Sequence, residues 1–196
     1  MPSITIHEEV GEYLSNIIHI NSYDYYLGLL APDAPNLNGF AEKEIRWKAH
    51  VRRKDLQEWR KALQEFYQEE KSHFPKDFII GYYIHILTDI IYDDFMYLKV
   101  RESIEKDGYS REESHQVMRQ DMLNYRSENP SWSKILLEST KSYDIQGITK
   151  DELSKWKEHQ ILLNDTIKNN SCKYITDEII NELNELVEKE LKKISF

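Results

Sequence analysis

The chain has 196 residues, 40% of them hydrophobic and 31% charged, with 6 Gly, 5 Pro and a single cysteine, Cys172. That length suits one domain with a real core, the scarcity of Gly and Pro disfavours a turn-rich β architecture, and a lone cysteine excludes an intrachain disulfide. A formal net charge of −9 argues against a general binder of nucleic acid duplexes and against charge-driven attachment to anionic membranes.

Apolar spacing then reads helical nearly everywhere. The start, MPSITIHEEV, has neither the basic nor the apolar region of a signal peptide, so a cytoplasmic location is expected. A first helix is expected over 6–19, with Val10, Leu14, Ile17 and Ile18 inward. APDAPNLNGF (31–40) reads as a loop. Residues 54–71 carry the stripe Leu56, Trp59, Leu63 and Phe66, and Pro75 opens a long helix over about 76–105. Ser110-Arg-Glu-Glu113 is a capping box that starts a helix to about 126, and Pro130 precedes a shorter one to about 142. Thr149-Lys-Asp-Glu152 starts a helix to about 168; NSCKYI (170–175) is a short connection. Thr176 caps a last helix with Ile179, Ile180, Leu183, Leu186, Val187, Leu191 and Ile194 on one face. The sum is an all-α, multi-helix domain spanning 1–196, with no apolar run of transmembrane length.

One stretch of the long helix carries unexpected polarity. GYYIHILTDIIYDDF (81–95) is apolar and aromatic, yet holds His85, Asp89 and Asp93 at i, i+4 and i+8, along one helical stripe. An unpaired buried carboxylate costs several kcal/mol, and no lysine or arginine lies between Asp77 and Lys99 to neutralise it. A divalent cation would do so, since His and Asp one turn apart converge on one ion. Tyrosines or a distant arginine would satisfy the same groups, and a lone buried histidine is most often just a hydrogen-bonded core residue.

Taken with three upstream elements, this helix resembles the zinc-dependent phospholipase C family. The elements are MPSITIH (1–7), LGLLAPD (27–33), His50 ahead of a helix, and GYYIHILTD (81–89), in the family's order over the first hundred residues. The resemblance implies an all-α fold of the phospholipase C and single-strand nuclease type, with a metal site between helices. It implies His7, Asp33, His50, His85 and Asp89 as metal ligands, Asp89 bridging if two ions bind. Asp93 stands where the family has a further histidine and is expected as a sixth metal ligand, and His115 is followed at +4 by Arg119 where the family has Glu. A three-ion cluster is therefore not expected; one or two ions are.

Zn²⁺ is the ion the resemblance implies, while the carboxylate share also admits Mn²⁺, Mg²⁺, Fe²⁺ or Ni²⁺. The implied activity is hydrolysis of a small phosphate ester by metal-activated water, with Asp33 orienting or deprotonating that water. The basic run Arg46, Lys48, Arg52, Arg53 and Lys54 brackets His50; of these, Arg52 and Arg53 are the expected substrate-binding pair. The alternative is a metal-binding relative without turnover, serving as a structural or interaction module, with the last helix available to a homodimer. An HD-type phosphohydrolase is disfavoured because no His-Asp dipeptide occurs.

Overall fold

The computed structural model describes residues 2–125, 131–166 and 172–194. They form helices α1 (Ile4–Ile18), α2 (Tyr23–Leu30), α3 (Lys43–Ala49), α4 (Leu56–Glu70), α5 (Lys76–Ile91), α6 (Tyr97–Lys106), α7 (Arg111–Asn124), α8 (Trp132–Leu136), α9 (Lys150–Thr166) and α10 (Asp177–Leu191). A 3₁₀ segment, Ala31–Asn36, follows α2, and a π-helical turn, Tyr92–Met96, links α5 to α6. The fold is all-α, with a lone bridge between Ile145 and Ile148 as the nearest approach to a strand among the described residues.

Local chemistry starts these helices where the sequence says it should. Ser110 Oγ accepts from the Glu113 N–H while the Glu113 carboxylate accepts from the Ser110 N–H, and Thr149 and Glu152 repeat the exchange. Thr176 accepts from the Ile179 N–H. Each cap satisfies backbone donors that the first helical turn leaves without partners.

Several expectations need correction. The segment 31–40 is not simply a loop: its first six residues form the 3₁₀ turn, and Pro32 lies in the first turn, where a missing N–H costs nothing. The short helices α2 and α3 were not expected at all. Ile17 is 41% exposed rather than inward, and the helix beyond Pro130 ends at Leu136 rather than near 142. Pro130, the expected helix ends near 126 and 168, and the first two residues of the connection 170–175 lie outside the described residues.

Helix α5 runs through the centre. Every residue from Phe78 to Ile91 is buried, and α1, α2, α4 and α10 pack around it. Its contact with α2 is the closest. A Cβ on Gly81 would lie 2.0 Å from the Tyr25 carbonyl oxygen, and one on Gly28 2.0 Å from that of Phe78. Only glycine permits two backbones to approach so nearly. Val10 and Leu14 from α1, with Ile180, Leu183, Val187 and Leu191 from α10, complete the surrounding core. Among the described residues, no helix is long and apolar enough to cross a membrane.

Candidate metal centre

The tight α2–α5 seat fixes the first imidazole. Leu29, in the last turn of α2, follows Gly28 directly, and its carbonyl accepts from His85 Nδ1 at 2.8 Å. With Nδ1 carrying the proton, the bare His85 Nε2 faces away from α2. His50 is built in the same way: it caps α3, its Nδ1 lies 2.9 Å from the Arg46 carbonyl, and its own carbonyl accepts from Trp59 Nε1 at 3.0 Å. The Tyr82 hydroxyl donates to the carbonyl of Ala49, tying the end of α3 to α5. After His50 the chain turns through Val51 at φ 48°, a left-handed conformation costly for a β-branched residue.

The two oriented imidazoles meet nose to nose, His85 Nε2 lying 3.3 Å from His50 Nε2. Asp33 Oδ1 is 3.4 Å and Asp89 Oδ2 3.7 Å from the same His50 nitrogen. On the other side, His7 from the start of α1 stacks on His85 with ring centroids 3.6 Å apart, and His7 Nε2 is 3.4 Å from Asp89 Oδ1. Tyr25, donating its hydroxyl to the Gly11 carbonyl at 2.9 Å, and Thr5, donating to the Met122 carbonyl at 2.8 Å, hold α1 in place. The structure thus brings together His7, Asp33, His50, His85 and Asp89, all expected from the resemblance. They make two overlapping triads, His7–His85–Asp89 and Asp33–His50–His85, each able to hold a metal ion.

The fit of a cation follows from the donor set. Both Nδ1 atoms are committed to carbonyls, so the two facing Nε2 atoms carry lone pairs, as do both carboxylates. Both oxygens of the fully buried Asp89 lack a hydrogen-bond donor among the described residues, and His7 Nδ1 lacks a hydrogen-bond partner of either kind. A proton on His50 relieves part of this conflict, but a single N–H cannot serve Asp33, Asp89 and His85 together. A divalent cation can.

Electrostatics follow the same geometry. Burial pushes His85 down to about 3, helped by the neighbouring His7, and the two carboxylates offset only part of that. Burial opposes charge on His50 too, but Asp33 and Asp89 outweigh it and raise its pKa above the ordinary value. Burial would raise Asp89 and Asp33; the imidazoles around them reverse the sign and hold both below the usual carboxylate range. The pattern is carboxylates kept anionic and His85 kept neutral, the protonation states that ligate metal.

Asp93 departs from the expected set. It pairs with Arg52 at 2.8 Å, where both side chains are partly exposed. The π-helical turn that begins at Tyr92 breaks the i+4 register that carries Asp89 inward, and a distant arginine supplies the neutralising charge. Arg52 itself lies over the Trp59 ring at 4.3 Å, while Arg53 is exposed and donates to the carbonyls of Val51 and Arg52. Of the three tyrosines on the 81–95 stretch, Tyr82 belongs to the core and Tyr92 reaches a cleft wall.

That cleft, about 610 Å³, opens beside the cluster and includes Asp33 in its lining. Asp33 is 13% exposed, whereas His7, His50, His85 and Asp89 are exposed by 1% or less. Arg46, Arg52, Arg119, His115 and Trp156 also line it, and Arg53 does not. Trp156 carries no signal in the sequence and Arg119 only that of a broken motif, since they reach the cleft from α9 and α7 by tertiary contact alone. Comparison with protein-family models, with curated proteins and with solved structures returns no match.

Proposed function

We propose that the protein is a metal-dependent hydrolase of phosphate esters, of the phospholipase C-like kind that its amino-terminal motifs resemble. The observation that carries this reading is the meeting of five ligand side chains, four of them buried, from α1, the 3₁₀ segment, the end of α3 and α5, with two oriented imidazole nitrogens 3.3 Å apart. Either His7, His85 and Asp89 or Asp33, His50 and His85 would hold an ion, since His85 has only its Nε2 lone pair to give and serves one ion at a time; the histidine share favours Zn²⁺. A divalent ion there supplies Lewis-acid polarisation of a phosphoryl oxygen and acidifies water.

The remaining work falls to side chains of the chain. Leu29 and Arg46 carbonyls keep His85 and His50 in the ligating tautomer and orientation. Asp33 alone faces both the cluster and the cleft, and so is placed to orient an attacking water and take its proton. The apolar wall of α5 excludes bulk solvent behind Asp89. A second reading, a metal site that stabilises the fold without turnover, is favoured by one observation: four of the five ligands are sealed from solvent.

Metal analysis of protein purified without chelator, followed by hydrolysis of bis(p-nitrophenyl) phosphate and p-nitrophenyl phosphate under several divalent ions, decides between them. Turnover that chelation abolishes and the same ion restores, and that Asp33→Asn lowers by at least about 100-fold, supports the hydrolase. Bound metal with no turnover supports the structural site. Protein that binds no metal refutes both.

A further inference from the structure

The cleft beside Asp33 has a charge that contradicts the rest of the molecule. The chain carries −9 overall, yet three arginines, Arg46, Arg52 and Arg119, line this cleft, and among the described residues Asp33 is its one carboxylate. Asp33 is turned to His50, and Arg52 is matched by Asp93. Neither Arg46 nor Arg119 has a carboxylate at ion-pair distance among the described residues; each instead lies over Phe40, at 5.4 and 4.3 Å from the ring centre. Phe40 is itself 66% exposed at the cleft's edge.

Arg46 Nε donates to the Ala41 carbonyl at 2.9 Å, a neutral partner that leaves the guanidinium charge unmatched. Two guanidinium groups without a carboxylate partner suit a ligand rich in acceptors and negative charge. They are the opposite of what a quaternary ammonium group requires, namely aromatic faces without competing cations.

We propose that this cleft selects phosphate esters whose organic part bears a second anionic group, a carboxylate or another phosphate, held by Arg119 and Arg46, and that it disfavours choline-type headgroups. The proposal rests on the reading of the buried cluster as a phosphate-ester hydrolase centre. It assigns to α7 a specificity-determining role, with Arg119 reaching the part of the substrate that is not attacked. Soluble esters and lipid headgroups share this chemistry.

The test is a titration of metal-loaded protein with three phosphomonoesters of similar size: glycerol 2-phosphate, 2-phosphoglycerate, which replaces a hydroxymethyl group by carboxylate, and phosphocholine. The expected order is 2-phosphoglycerate tightest, by about ten-fold over glycerol 2-phosphate as one charge-assisted hydrogen bond allows, with phosphocholine weakest. Arg119→Gln should bring the 2-phosphoglycerate to glycerol 2-phosphate ratio close to one, and Arg119→Lys should retain most of it. The same preference appearing only on vesicles that contain phosphatidylinositol 4-phosphate supports a lipid ligand. Equal affinities for all three esters with no such vesicle preference, or a ratio unchanged in Arg119→Gln, overturns the proposal. The hydrolase reading fails separately: the preference then persists while both bis(p-nitrophenyl) phosphate and p-nitrophenyl phosphate are left intact under every ion tried.

Discussion

Gly81→Ala probes the centre without touching a ligand. A Cβ there would sit 2.0 Å from the Tyr25 carbonyl oxygen and 2.9 Å from the Leu29 nitrogen, both backbone atoms that cannot rotate away. Restoring an ordinary contact near 3.4 Å requires α2 and α5 to part by about 1.4 Å. The His85–Leu29 hydrogen bond, 2.8 Å long, spans the same gap and does not survive such a shift. Overpacking and an unpaired buried donor together cost about 2–6 kcal/mol of stability. Loss of the group that orients a ligating histidine lowers metal affinity by about 10–100-fold. Urea unfolding and Zn²⁺ calorimetry measure the two effects on one sample. Gly11→Ala is the control, since the atoms nearest its Cβ belong to the Leu29 side chain, Cδ2 at 2.1 Å, and not to backbone. Gly81→Ala protein with wild-type stability and wild-type metal affinity would refute the claim that backbone contact between these helices sets the site.

Asp89→Ala should abolish stoichiometric metal binding and destabilise the fold by about 3–5 kcal/mol, because His7 and His50 would be left beside an empty place; unchanged metal content sinks the ligand assignment. Asp93→Ala, by contrast, should leave metal content untouched and cost under about 1 kcal/mol, since the pair with Arg52 that it breaks is partly exposed; metal loss in that variant would return Asp93 to the cluster. Burial, with Asp24 adding to it, pushes the Tyr23 phenol up to about 12, and burial also raises fully enclosed Tyr25 and Tyr82. Folding favours the protonated phenol, so this contribution is complete below the ordinary value of 10.0 and disappears as pH rises through about 12. Urea midpoints should therefore fall across that window, with tyrosinate absorbance lagging behind it until the chain unfolds; phenols that titrate in the native protein as they do in short peptides would contradict the burial argument.

Helical starts were legible because they are local: Ser110, Thr149 and Thr176 each answer to a residue three positions on. The segment 31–40 misled because two prolines look like loop punctuation, although a 3₁₀ turn accepts one in its first turn. Spacing alone placed His85 and Asp89 on one stripe but could not see that the helix would change pitch at Tyr92. That change turned Asp93 toward an arginine 41 positions earlier in the chain. His7, Asp33 and His50 were reachable only through motif order, since nothing in their own neighbourhoods requires them to meet. The cleft was the least legible part. Arg119 stood out in the sequence merely as a break in a motif, and its place beside Arg46 depends on how α7 packs.

The left-handed turn at Val51 joins two compartments through a single residue. On one side of it His50 points into the sealed cluster; on the other Arg52 reaches the open cleft. The sealed imidazole and the open guanidinium therefore share one short backbone anchor, and the chamber and its mouth are built from a single tripeptide.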